Sequence, residues 1–456
     1  MKTLQLPANK LLLSAALAAT LLLNPLSAAV HAAPVAVTTS TSYATEYGAF
    51  LKDKYSITVK EDGTITRGDL IAYVAALLPK ATAESAAKFS DLDKTDALFS
   101  QAALLYDKGI LNGPAVAAKQ PLTNLAAILI ALRASDLKEL AYSYPEAKAD
   151  TALTKAGINL SVLDLKTKQE LAAAIDTGLL PASYQEKLVL SKPASSQLVQ
   201  VLLGKIAAFQ GNYKHYLGYV SEADIYTKIQ DAYRTSNIIQ IPNLQTVVDT
   251  ALKQNVVTGY NLKDSRFDAN FVEALSITYG HSNLQHIVQL IGLLRSEGLD
   301  AKVQLEPKTS AFIHMKEWGE PYESETAKVV KIENGNYITY AKEFDLKFEF
   351  NTVADKEKFQ GIILKYAKKD VKDQKGLIAG SWWQPLYYSL TKLDDYKLIA
   401  NTKIVDGHYY AQSFSLPEKA AEVKEGFAKV DPSVKVESYT FWVDGPFFNY
   451  LNGESL

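Results

Sequence analysis

Cysteine is absent from all 456 residues. That excludes disulfides, thiolate metal sites and any cysteine nucleophile. Histidine is scarce, at six, and no His-Glu-x-x-His pair occurs. An excess of one charge is missing too: 48 Lys+Arg stand against 50 Asp+Glu, a net charge of −2. The chain therefore lacks the clustered basic footprint of a whole-chain nucleic-acid binder. Beyond residue 33 no apolar run approaches the roughly 20 residues needed to span a bilayer. What is present, 48% apolar and 10% aromatic residues, is ample for buried cores and excludes a disordered composition. The length suggests two to four domains.

The strongest local signal lies at the start. Lys2 and Lys10 flank a short basic region, residues 11–23 (LLLSAALAATLLL) form an apolar core, and Asn24-Pro25 breaks it. Val30-His31-Ala32 then places small residues at −3 and −1 of a cleavage site, the pattern of a cleavable signal peptide over 1–32. This predicts an exported protein, soluble or wall-bound, with no membrane span in its mature form. Removal takes two lysines, so the mature chain is more acidic than the precursor.

Helical patterns follow, joined by short loops. Ile65-Thr66-Arg67-Gly68-Asp69 opens an apolar run over 70–78, Leu122-Thr123-Asn124 one over 125–132, and Leu190-Ser191-Lys192-Pro193 one over 197–209. Each start has a hydroxyl residue able to cap free backbone N–H groups, and Thr66 and Asp69 have capping-box spacing. Upstream of the second run lie Phe89-Ser90-Asp91, a helical stretch 100–108 and Gly109-Ile110-Leu111-Asn112-Gly113. Upstream of the third lie a helical stretch 169–176 and Gly178. Each glycine falls where a left-handed C-cap belongs.

"FSDLDKTDALFSQAALLYDKGILNG" followed by "PLTNLAAILIALRAS" resembles the S-layer homology (SLH) domain of Gram-positive surface proteins, and the layout extends over 43–211. The resemblance implies three helical units that hold pyruvylated secondary cell-wall polysaccharide non-covalently. A pyruvate ketal presents a carboxylate, which an arginine fork and helix-start N–H groups can accept. The implied ligand positions are Arg67, with Thr66 and Asp69 shaping its turn, and then Asn124 and Lys192 in the second and third units. Asn lacks charge and Lys is a point charge rather than a fork.

Residues 212–334 change character. Helical patterns at 224–234 and 244–254 precede 271–279, which fits a strand or a helix, and Gly280-His281-Ser282-Asn283-Leu284-Gln285-His286 then leads into an apolar helix over 287–295. With "SEGLDAKV" and "AFIHMKEW" downstream, residues 271–320 resemble a degenerate transglutaminase-like core, in which a cysteine begins the helix and a histidine follows on a strand. Without cysteine the resemblance implies a non-catalytic relative. A wall-associated hydrolase or transferase is the alternative, and its site would be built from Ser282, His314 and His281. His281 and His286 are poorly spaced for joint metal ligation on a helix, and no metal or cofactor is expected. Glu306-Pro307-Lys308 and Glu317-Trp318-Gly319-Glu320-Pro321 read as solvated loop charges, with a glycoside-hydrolysing carboxylate pair as the other reading.

From 335 to 456 the order βα-ββ(β)-αβ fits an α+β unit of ferredoxin-like type. Aromatics gather here, among them Trp382, Trp383, Tyr409, Tyr410, Phe441, Trp442, Phe447, Phe448 and Tyr450. Neighbouring strand residues face opposite sides, so about half belong to a core. The others could stack on sugars, which makes a carbohydrate-binding module a further alternative. The expected architecture is thus an all-α SLH-like domain followed by two α+β domains, in a non-enzymatic secreted protein held to the cell wall.

Overall fold

The computed structural model describes residues 40–80, 85–186, 188–366 and 386–453. The expected signal peptide and the Trp382-Trp383 pair lie outside these residues.

The first part is helical: α1 (Ser40–Tyr55), α2 (Arg67–Leu77), α3 (Phe99–Asp107), α4 (Asn124–Ala134), α5 (Lys138–Tyr142), α6 (Glu146–Lys155), α7 (Leu165–Asp176) and α8 (Ser196–Phe209). Thr66, Thr123 and Ser195 cap α2, α4 and α8, each hydroxyl accepting the N–H three residues on. The three starts are chained head to tail by repeated main-chain bonds. Leu122 N–H donates to Ile65 O, and Ala194 N–H to Leu122 O. Arg67 N–H donates to Gln120 O, and Asn124 N–H to Lys192 O. Gly68 suits this close joint, because a Cβ there would stand 3.0 Å from Ala118 O and press on it.

The remainder is a barrel. Its strands are β1 (Gly218–Tyr219), β2 (Gly259–Asp264), β3 (Ser276–His281), β4 (Ala301–His314), β5 (Ala327–Lys331), β6 (Tyr337–Phe350), β7 (Leu386–Ser389), β8 (Lys397–Asp406), β9 (Tyr409–Ser415) and β10 (Val436–Val443). In the order β4-β2-β9-β8-β10-β7-β3-β6 they form a ring that the β4–β6 pairing closes, and β1 and β5 add to β4 and β6. All of these pairings are antiparallel. Helices cover the outer wall. Val303, Leu305, Phe344 and Phe348 share a core with α9 (Ile225–Thr235), α11 (Leu284–Ser296) and α12 (Val353–Tyr366). Leu262, Ile404 and Ala411 share another with α10 (Pro242–Lys253) and α13 (Ala420–Val430). A last helix, α14 (Gly445–Leu451), follows β10.

This overturns the expected fold class. Residues from Ser40 onward form one compact unit, and the helical part is not a self-contained all-α domain. Val272 is buried in its core and Leu275 packs against it, both from the barrel part of the chain. Nor is there a ferredoxin-like unit at the end. β6 pairs with β3 and β4, and β9 pairs with β2, so strands on both sides of residue 335 interleave in one ring. The position itself is the Gly335 turn of the β5–β6 hairpin. Period-2 patterning can mark a strand but carries no information about distant partners.

The inner face of the barrel is polar. On β4, Lys302, Gln304, Glu306 and Lys308 stand opposite Glu349, Lys347, Asp345 and Glu343 of β6. Lys263 Nζ donates to Glu306 at 2.6 Å and Asp345 at 2.9 Å, while Lys308 Nζ reaches Asp345 at 2.8 Å. Tyr388 donates its hydroxyl to Asp345 at 3.1 Å. Burial opposes ionisation of Asp345, but the two ammonium groups outweigh it and hold the carboxyl well below its usual range. Burial likewise opposes the charge on Lys263, and Asp345 and Glu306 keep its pKa well above the ordinary value. Glu306 and Lys308 are therefore buried strand residues rather than solvated loop charges. Pro307 is accommodated because the β2–β4 pairing ends at Lys263 and Lys308, next to it.

A second cluster ties α1 to this interior. Glu46 Oε1 accepts from Lys214 and Lys302, both at 3.1 Å, and from the Tyr213 hydroxyl at 2.8 Å. Glu349 accepts from the same two lysines at 2.7 and 3.1 Å, and from Val272 N–H. Burial pushes the Glu46 carboxyl up, and Lys214 and Lys302 more than reverse this, bringing it down to about 2.

Two outcomes are expected. Lys263→Met leaves the buried Glu306 without an ammonium partner and Asp345 with Lys308 alone, and should cost about 3–5 kcal/mol in urea denaturation. A carboxyl depressed from 4.5 to about 2 stabilises fully above the higher value and loses that contribution as pH falls through the lower. Glu46→Gln should therefore be less stable than the parent at pH 7, and the two should converge between about pH 4.5 and 2.

Candidate anion-binding cleft

The capping box at α2 occupies Thr66 and Asp69 completely. Thr66 Oγ1 accepts Asp69 N–H, and Asp69 Oδ2 accepts both the N–H and the hydroxyl of Thr66. Asp69 Oδ1 takes Lys60 Nζ at 2.7 Å. These residues shape the helix start and leave Arg67, the first helical residue, to project from it.

Arg67 is anchored by one edge. Its Nε donates to Val116 O at 3.1 Å, and its terminal nitrogens have no hydrogen-bond partner among the described residues. The anchoring loop is itself held, because the Asp91 carboxylate accepts Val116 N–H at 2.8 Å and Ala117 N–H at 2.7 Å. Burial, and next the nearby Arg133 cation, lower the pKa of Arg67 from its ordinary value, with Asp91 acting against them. An anion in front of Arg67 would relieve both.

The cleft before it measures about 200 Å³. Leu125 and Leu129 of α4 supply apolar wall, and Arg67, Asn112, Thr123 and Arg133 supply the polar edge. Arg133, on the last turn of α4, is already neutralised. Its Nε and Nη2 make a bidentate pair with Glu170 at 3.0 and 2.7 Å, and Glu170 also accepts from the Tyr142 hydroxyl. Of the two guanidinium groups lining the cleft, only Arg67 lacks a carboxylate partner.

The other two helix starts differ. Asn124 occupies the position of Arg67, but its amide donates to Val189 O at 2.8 Å, so that group is engaged. In the third unit the residue after the cap is Ser196, not Lys192. Lys192 corresponds to Gln120, since its carbonyl pairs with Asn124 N–H as Gln120 O pairs with Arg67 N–H. Of the five expected ligand positions, Arg67 alone turns unspent donors toward a cleft. Arg133 and Asn112 were not anticipated, although both stand in the quoted SLH-like stretch. Only the packing of α3 and α4 against α2 brings them in front of Arg67.

The alternative site does not assemble. His281 lies opposite Phe344 and His314 opposite Tyr337 on the same strand, roughly 23 Å apart at strand rise. Ser282, next to His281, is as far from His314. His281 Nδ1 accepts Asn283 N–H at 2.6 Å, and its Nε2 stands 3.0 Å from His286 Nδ1. That is a hydrogen-bonded turn at the start of α11. His314 Nε2 bonds Gly319 O at 2.9 Å beside the exposed Trp318 ring. No group of three metal-ligating side chains occurs among the described residues.

Sequence reasoning also missed Lys356. It is 1% exposed and donates to Ser389 Oγ at 2.8 Å and Thr391 Oγ1 at 2.9 Å. Burial without a paired carboxylate lowers it to about 8. Ser389 is buried as well, so this pair faces no solvent.

No protein-family model and no curated protein matches the chain. The cleft is therefore read from its own chemistry.

Arg67 and Arg133 should separate in stability measurements. Arg133→Ala strands the buried Glu170 carboxylate and should cost about 3–5 kcal/mol. Arg67→Ala removes a half-buried cation with one neutral bond and should cost about 1 kcal/mol. Urea denaturation of both variants at pH 7 checks the contrast.

Proposed function

We propose that this is a secreted cell-surface protein attached non-covalently to the cell wall, with the Arg67 cleft holding a carboxylate-bearing wall glycan. The observation that carries the reading is the unspent guanidinium edge of Arg67 in a cleft where Arg133 is already neutralised. Two parallel N–H donors are the geometry that recognises a carboxylate bidentately. The resemblance of the α2–α4 stretch to SLH units favours pyruvylated secondary cell-wall polysaccharide as the ligand. The signal-peptide pattern at the N-terminus supports export. The chain has a net charge of −2, so any hold on an anionic polymer has to be local. The barrel part serves as a non-catalytic interaction or structural region in this reading.

The test is co-sedimentation of the full mature chain with purified cell wall. The parent should pellet, and walls stripped of ketal-linked pyruvate should release it. Arg67→Ala should lower the bound fraction at least tenfold while the unfolding curve stays close to that of the parent. Arg67→Lys should fall between them, because an ammonium keeps the charge but loses the fork. Absence of parent protein from the pellet sinks the proposal.

A further inference from the structure

The outer wall of the barrel carries another cleft, of about 460 Å³, a volume in the range of small-molecule sites. Pro242, Gln245, Thr246, Asp249, Thr250 and Lys253 line it. Their spacing of three and four places them on one face of α10.

Asp249 stands at the middle of this stripe, and the barrel wall fixes its carboxylate. Tyr260 of β2 and Tyr340 of β6 both pair with Ala311 of β4, one on each side. Three adjacent strands thus present two tyrosines across one small residue. Tyr260 donates its hydroxyl to Asp249 Oδ1 at 2.5 Å, and Tyr340 donates to Oδ2 at 2.8 Å. Both tyrosines are buried. Burial, and next the Asp249 charge, push both phenols above their ordinary pKa, so each remains a donor. The two hydroxyls orient the carboxylate without neutralising it. Among the described residues no lysine or arginine pairs with Asp249, whose two bonds are to these hydroxyls.

The polar neighbours have spent their hydrogens elsewhere. Thr246 Oγ1 donates to Pro242 O at 2.9 Å, and Thr250 Oγ1 donates to Thr246 O at 2.7 Å. Both hydroxyl oxygens keep lone pairs and have no proton left to give. Gln245 Oε1 accepts Ile241 N–H at 2.7 Å, and its side chain also bonds the Tyr260 hydroxyl. Each Asp249 oxygen takes one bond and has capacity for another. The middle of the cleft therefore offers acceptors and a full negative charge, which calls for a cation rich in N–H donors.

We propose that this cleft binds a small molecule through a primary ammonium group, held between the Asp249 carboxylate and the Thr246 and Thr250 hydroxyl oxygens. An ammonium carries three N–H donors, and its bond to an ionised carboxylate is of the strong, charge-assisted kind. This site is independent of the Arg67 cleft and of wall attachment.

The probe is cadaverine, titrated calorimetrically into the intact chain at neutral pH, with pentanediol and tetramethylammonium as controls. Pentanediol lacks the charge, and tetramethylammonium keeps the charge but has no N–H. Saturable binding of one cadaverine per chain is expected, with neither control binding measurably. Asp249→Asn should weaken cadaverine at least tenfold. The double variant Thr246→Val, Thr250→Val should weaken it several-fold, and Lys253→Ala, which removes a competing cation, should tighten it. No saturable binding to the parent overturns the proposal, as does tetramethylammonium binding as tightly as cadaverine. Parent-like affinity in the threonine variant, or loss of binding in Lys253→Ala, overturns it too. Should Asp249→Asn fail to fold, the threonine variant decides, because Thr246 is exposed, Thr250 is half-buried and neither belongs to the core.

Discussion

A closed ring of eight strands buries most of the charges turned inward, so those buried charges have to be answered by one another. Lys263 shows the constraint most plainly. Its ammonium lies between Glu306 and Asp345, and Asp345 in turn receives Lys308 and the Tyr388 hydroxyl. Each group is intelligible only through its neighbours, and they come from four strands far apart in the chain. Such a network contributes less net stability than apolar packing of the same volume. What it does require is one register for β2, β4 and β6, because a one-residue slip would turn every charge to the apolar outer face.

The same requirement joins the helical part to the barrel. Lys214 and Lys302 are balanced only when both Glu349 and Glu46 are present, and Glu46 lies on the first helix described. A buried four-charge cluster with one member on a distant helix makes the two parts one folding unit. This is the physical reason the expected sequence of separate domains fails. It also means that the cleft at Arg67 belongs to a molecule with the barrel attached.

Within the helical part, the proposed binding rests on a difference between otherwise equivalent positions. Three capped helix starts are chained by the same main-chain bonds, yet Arg67, Asn124 and Ser196 follow the caps. The first reaches its anchoring carbonyl with one nitrogen and keeps others to offer; the second uses its amide on Val189. Arg133 shows why charge alone does not mark a ligand site, since Glu170 has already matched it. The caps at Thr66 and Thr123 were legible because a cap is a contact over three residues, whereas the third lies at Ser195 and not at Ser191. Arg133 was not, because its place opposite Arg67 depends on how α4 packs against α2.

The sequence by itself determined what short-range physics controls. Thr66 and Asp69 box α2, Thr123 starts α4, the 3.6 and 2 periodicities mark helices and strands, and Arg67 stands out as a ligand candidate. Tertiary structure alone decided which strands pair, and so it placed Glu306 and Lys308 in a buried network. It also separated His281 from His314 along β6 and moved the third unit's matching position from Lys192 to Ser196. The division has a physical cause. Caps and periodicity are energies of neighbouring residues, whereas strand pairing and charge burial depend on residues that only the closed barrel brings together.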